Sequence, residues 1–418
     1  MRTIHWLAAI VVTAAAAVIP AAAQTQTSSG NAVGGVAITT EGLLHIPRTS
    51  VAHLPLTPQK NATLVYISLP HLLADAKALV DAGRPLPPEI RFLHGLTQIQ
   101  YLFAFPQEHD LVIAGPAETV RADNPLEPVG AASGRPVLQF DDLAVVFRAL
   151  YSGGGNGGRG RDFFGCSIDP APGEIAAADA LVARYGADRQ RLLEEMHKAI
   201  GPEQVKIFGV PEDSRVALTM VAADYRLKRL SMGLEIAPGI GSALGSSGAG
   251  RFWFRPSYDP LLVSRDGLSY AFRGKRLEVS VGEIDAQTGP VPPSVTRFSK
   301  QFTDKMDLVA GRVDAVADLQ NITDLFLLAA IVRQDGLATR TGTDLSWLLA
   351  ADKFHVASVP VPRTAETLIT VSGDELARGG VAIAGRGMGR MARGNGDAIL
   401  ASVRRRPTDS WCITAPLK

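Results

Sequence analysis

Residues 162 to 235 constrain the fold most, because strand-like and helix-like patterns alternate there twice. "DFFGCSID" (162–169) is a short apolar run of strand length. The segment 170–201 follows with Ile175, Ala178, Val182, Tyr185, Leu192, Met196 and Ile200 on one helical face, and Gly186 marks an irregularity within it. "PEQVKIFGVP" (202–211) reads as a second strand. In "DSRVALTMVAADYRLKRLSMGLE" (213–235), Val216, Met220, Ala223, Leu227, Leu230 and Leu234 recur every three or four residues, the spacing of one face of an α-helix. Asp213 or Ser214 caps it, and Arg226, Lys228 and Arg229 lie in its second half, where cations suit the helix dipole. Strand, helix, strand, helix fits a parallel βαβ unit, or a split one with antiparallel partners.

The flanking segments extend this to an α+β expectation: mixed sheets packed with amphipathic helices, in two or three subdomains. Residues 24–59 read as a polar leader and a short hairpin. Residues 60–152 form an N-terminal α/β unit. In it Ser68 caps a helix bearing Leu72, Leu73, Ala76, Leu79 and Val80, two strands follow within 97–118, and "RPVLQFDDLAVVFRALYSG" adds a short strand and then a helix capped by Asp141 or Asp142. After the βαβα unit (161–235) and a Gly/Ser-rich connector, residues 251–336 read as a β-meander turning at Asp266-Gly267 and Gly274-Lys275, then two helices. The second of these, 312–333, is apolar enough to be largely buried. Residues 337–418 read as short strands ("FHVASVPVP", "ETLITVSG", "GGVAIAG") and a basic, glycine-rich tail.

Compartment follows from residues 1–23. A short polar start with Arg2 and His5, an apolar run from Trp6 to Ile19, Pro20 and then Ala21-Ala22-Ala23 form the pattern of a secretory signal peptide cleaved after Ala23. The run falls short of the ~20 apolar residues that span a bilayer, so the expected product is secreted or periplasmic and not an integral membrane protein. Without Arg2 the 42 basic residues become one fewer and equal the 41 acidic ones, so no global field draws the chain to nucleic acid.

Candidate chemistry is sparse. The glycine-rich 153–160 follows a helix and holds no lysine, so it reads as a flexible joint and not a phosphate cradle. Cys166, near the end of a strand and before a helix, is the one weak candidate for a catalytic nucleophile, although none of the histidines sits in a recognisable base motif and a core cysteine beside Phe163 and Phe164 is the default reading. Cys166 and Cys412 are an even pair in an oxidising compartment, and a disulfide between them would close a long loop worth roughly 5 kcal/mol in the chain-entropy model. Arg386, Arg390, Arg393, Arg404, Arg405 and Arg406 oppose only Asp397 nearby, and read either as a site for an anionic polymer or surface or as a solvated tail. Metal and cofactor motifs are absent from the sequence, so no metal and no cofactor is expected. Asn61-Ala62-Thr63 and Asn321-Ile322-Thr323 match the glycosylation pattern, the second inside an expected helix.

Five phrases carry a family resemblance: "SLPHLLADAKALVDAGRPLPPEIRFLHGLTQIQYLFAFPQEHDLVIAGPAE", "RPVLQFDDLAVVFRAL", "DFFGCSIDP", "VKIFGVPEDSRVALTMVAADYRLKRLSMGLE" and "DLQNITDLFLLAAIV". In this order they resemble an exported planctomycete-type family known as domain of unknown function 1598. The resemblance implies export and one ordered set of elements, and supplies no activity or catalytic residues. Two roles stay open: a non-catalytic cell-envelope protein that binds or scaffolds an envelope protein or polymer, or a secreted hydrolase using Cys166 or a carboxylate pair.

Overall fold

The computed structural model describes residues 37–38, 43–45, 63–124, 126–151, 163–171, 173–199, 201–237, 239–243, 252–282, 291–368, 379–384 and 392–416. The signal-peptide pattern, the 153–160 glycines, Asn61, Arg386 and Arg390 lie outside them.

Apart from the two-stranded ribbon of Val120–Arg121 and Val129–Gly130, the described strands gather into two mixed sheets. The eight-stranded sheet runs Ala37–Ile38, Leu43–His45, Thr364–Ala365, Glu203–Phe208, Phe163–Asp169, Gly379–Ala384, Phe252–Ser257, Arg276–Val281. Phe163–Asp169 and Glu203–Phe208 are antiparallel neighbours, with Cys166 opposite Ile207, so neither form of the βαβ expectation is observed: both would keep the two helix-connected strands parallel. The seven-stranded sheet runs Arg393–Asn395, Leu261–Val263, Ser269–Ala271, Tyr101–Phe105, Asp110–Pro116, Thr63–Ser68, Cys412–Pro416. Alternate residues of its strands serve two cores, as the strand period of two requires. Val65, Ile67, Leu102 and Ile113 join the main core, whereas Leu64, Tyr66, Phe103 and Val112 form a smaller one with Leu400 of helix Asp397–Val403.

The expected meander is divided between the sheets. Its outer strands Phe252–Ser257 and Arg276–Val281 pair with each other in one, and the inner hairpin Leu261–Val263 with Ser269–Ala271 joins the other. Gly274 allows this crossing: its φ is +90°, and a Cβ there would stand 2.9 Å from the Asp259 amide nitrogen. Close backbone approach of this kind is what glycine permits.

Two helices fill the space beside the sheets. Asp314–Gln334 is buried at every position from Ala315 to Val332. It is the one described helix long and apolar enough to cross a membrane, yet that whole apolar stretch is enclosed by the protein, as for a core helix. Arg215–Ser231, capped by Ser214 through the Ala217 amide, is also enclosed on nearly every side. The amphipathic helix expected there is therefore a core helix: Lys228 and Arg226 are internal ion-pair partners, and Leu234, expected on the apolar face, is exposed. The 170–201 segment breaks near Gly186 into Glu174–Tyr185 and Arg189–Ala199. Among the described residues, 355–360 join no sheet, their one backbone bond across the fold being from the Val359 amide to the Asp213 carbonyl at 2.7 Å, so "FHVASVPVP" is not a strand.

Candidate functional site

At one edge of the seven-stranded sheet the chain folds over the face of strand Thr63–Ser68. Helix Pro88–Arg91 leads into the turn Leu93–Gly95, where φ is +46°, +52° and +76° in succession. Gly95 is required at the last position, because a Cβ would stand 1.9 Å from the Glu118 carbonyl oxygen. The Glu118 amide donates to the Gly95 carbonyl at 3.0 Å and fixes the turn against 117–120. Between them lies a cleft of about 510 Å³. Its floor is Thr63, Val65 and Thr414; its walls are Pro88, Glu89 and His94 on one side and Ala117 to Val120 on the other. Glu118 Oε2 accepts the Ala132 and Ser133 amides at 2.9 and 2.8 Å, so this carboxylate also anchors a neighbouring turn.

Cys412 begins the edge strand and sits on the same face as Thr414, opposite Ile67. Its Sγ is 3.8 Å from His94 Nδ1, and the His94 ring stands edge-on to Trp411 at 5.8 Å. Burial pushes the Cys412 thiol above its ordinary pKa. Sequence reading passed over this pair because no local motif joins residues so far apart; only the fold brings them together.

The other polar constellations are internal. Arg215 is gripped by Asp142 and by Asp318, whose Oδ2 is 2.6 Å from Nη1, and Thr219 donates to the same Asp318 oxygen. Burial works against the Arg215 charge, but the two carboxylates more than offset it and raise its pKa. Asp142, expected as a helix cap, is thus an interior ion-pair partner. Arg276 reaches Asp324, Asn321 and Gln320, and Tyr258 donates to Asp324 at 2.5 Å. Lys228 Nζ donates to Glu203 at 2.5 Å and to the Ile168 carbonyl at 3.1 Å. Asp224, one turn before Lys228, is fully buried with no well-aligned hydrogen bond to either carboxylate oxygen, and burial pushes its pKa well above the usual range, only partly opposed by Lys228 and the Ile168 backbone. Among the described residues no group of three or more His, Cys, Asp or Glu is placed to hold a metal ion.

Cys166 lies in the middle of strand Phe163–Asp169, inside the main core with Phe164 and Ile168, and has no exposure. It is not at a helix N-terminus, since the next helix begins only at Glu174. The structure does not bring Cys166 and Cys412 together: they occupy different sheets. The described tail arginines are engaged one by one. Arg393 pairs with Asp335 at 3.2 Å. Arg404 donates to the Leu268 and Ala104 carbonyls and to Ser269 Oγ while stacking 4.2 Å over Phe105. Arg405 lies beside the Tyr66 phenol, and Arg406 is 3.9 Å from Asp110. Asn321 is buried, donating to the Pro136 carbonyl at 2.9 Å, so its acceptor-like triplet is a packing feature.

Mixed sheets covered by helices place the chain in the α+β class. Within it, residues 166–241 match the family described as a protein of unknown function (DUF1598), and the chain resembles that family over this span. The span holds Cys166, Glu203, Arg215, Asp224 and Lys228; the cleft is built from residues on either side of it. No curated protein and no solved structure gives a significant match.

Proposed function

We propose that the protein is an exported, non-catalytic binding protein of the cell envelope, which holds one unit of an envelope protein or polymer in the cleft beside His94. The cleft is the observation that carries this reading. Its volume of about 510 Å³ falls within the ~300–1,000 Å³ of small-ligand sites, and it combines apolar surface with a few polar groups. Val65, Pro88, Ala117 and Val120 offer contact area, while Thr63, Thr119 and Thr414 supply hydroxyls and Glu89 and Glu118 supply acceptors. That lining suits a hydroxylated or amine-bearing unit, whose donors the carboxylates accept. Export rests on the 1–23 pattern. A hydrolase built on Cys166 would need substrate to reach a sulfur sealed in the core.

Native mass spectrometry tests the proposal on purified protein exposed to solubilised envelope fractions. Thr414 is exposed on an edge strand that tolerates an aromatic residue, so Thr414→Trp fills the cleft without disturbing the core. The expected result is a retained species in wild type that Thr414→Trp loses. Equal retention by both proteins, or none by either, would overturn the reading.

A further inference from the structure

His94 and Cys412, 318 positions apart, meet where the edge strand borders the cleft. His94 lines the cavity, and Trp411 holds its ring edge-on. Cys412 shares a strand face with the lining residue Thr414 and is only partly buried, in contrast to the sealed Cys166. We propose that Cys412, with His94 as its base, is a thiol–disulfide exchange site that captures a low-molecular-weight disulfide entering the cleft. The inference deepens the binding reading, since it requires the cleft to admit a small ligand.

Thiol exchange asks less of the site than acyl transfer does. An acyl-transfer site needs backbone donors aimed at a developing oxyanion. The amides nearest the imidazole in sequence are already used: Gly95 donates to the Phe92 carbonyl at 2.9 Å and Leu96 to the Leu93 carbonyl at 3.1 Å. Thiol exchange develops charge on sulfur and needs only a thiolate, an accessible disulfide and a leaving thiol. A thiol that burial keeps protonated needs a base beside it, and His94 Nδ1 is within hydrogen-bonding reach of Sγ.

In the step itself the Cys412 Sγ proton moves to His94 Nδ1, and the thiolate attacks one sulfur of the disulfide. The Cys412–sulfur bond forms, the ligand's S–S bond breaks, and the departing thiolate takes the proton from the imidazolium. The ligand is the oxidant: it is reduced to one free thiol while Cys412 is oxidised to the mixed disulfide.

Glutathione disulfide is the probe, and intact mass with peptide mapping is the readout. The folded wild-type protein is expected to gain one adduct, at Cys412, with Cys166 unmodified. Cys412→Ser should gain none. His94→Asn suits the left-handed backbone at this position, because asparagine tolerates positive φ. It should react about tenfold more slowly near neutral pH, with the imidazole inflection lost from its rate–pH profile. No adduct on the folded protein, or His94→Asn reacting at the wild-type rate across the profile, would overturn the inference. Retention of the envelope unit by Cys412→Ser, measured in parallel, separates failure of this site from failure of the binding reading.

Discussion

Replacing Asp224 by Asn should change how stability depends on pH. Asp224 projects from helix Arg215–Ser231 into the core, has no exposure, and its carboxylate has no well-aligned hydrogen bond, only the Ile168 backbone nearby. Lys228, one turn on, is drawn away to Glu203 and the Ile168 carbonyl. Burial therefore pushes the carboxyl well above its usual range, with Asp169 and Glu203 adding to the effect and Lys228 opposing it. Between the unfolded pKa near 4 and the raised folded value, the native state holds a proton that the unfolded state releases. The associated stability is complete below the unfolded pKa and drains as pH rises toward the folded one, by about 1.4 kcal/mol per pH unit. Asparagine carries no such proton, while Lys228, Glu203 and Asp169 are common to both proteins. Urea unfolding at a series of pH values above the unfolded pKa should show Asp224→Asn gaining on wild type as pH rises, by up to about 1.4 kcal/mol per unit until the folded pKa is reached. Parallel pH profiles for the two proteins would refute the assignment of a buried, protonated Asp224.

Three other substitutions follow from the geometry. Arg215→Met leaves Asp142 and Asp318 buried without their cation and should cost about 3–5 kcal/mol in denaturant unfolding. Gly95→Ala sets a Cβ against the Glu118 carbonyl at a positive φ, so it should lose roughly 2 kcal/mol or more in the same assay and displace the cleft turn. Arg404→Lys keeps the charge but cannot reproduce the forked contacts to Ala104, Leu268 and Ser269, and should destabilise by about 1–3 kcal/mol.

Local signals gave the elements and withheld their partners. Ser68 is an N-cap as its sequence context predicts, accepting from the His71 amide, and Leu72, Leu73 and Ala76 are buried as the 3.6-residue spacing requires. The strands at 101–105 and 110–116 and the turn at Asp266-Gly267 were legible for the same reason. Periodicity is silent on which strands pair, and so the division of the meander between two sheets was not. Charge was the most misleading signal. Asp142 and Lys228 read as a helix cap and a dipole partner, yet each is neutralised inside the core by a residue from a distant segment, Arg215 and Glu203. The cleft depends on the same long-range assembly: its floor joins Val65 to Thr414, and its imidazole meets a thiol near the far end of the chain.

Amide hydrogen exchange, recorded with and without the envelope fraction that the protein retains, tests most directly where it binds. Protection is predicted at 93–97, 117–120 and 411–416, the segments that enclose the cleft, with the strand holding Cys166 unchanged. Protection confined to other surfaces, or none on a protein that retains its ligand, would contradict the assignment of the cleft as the binding site.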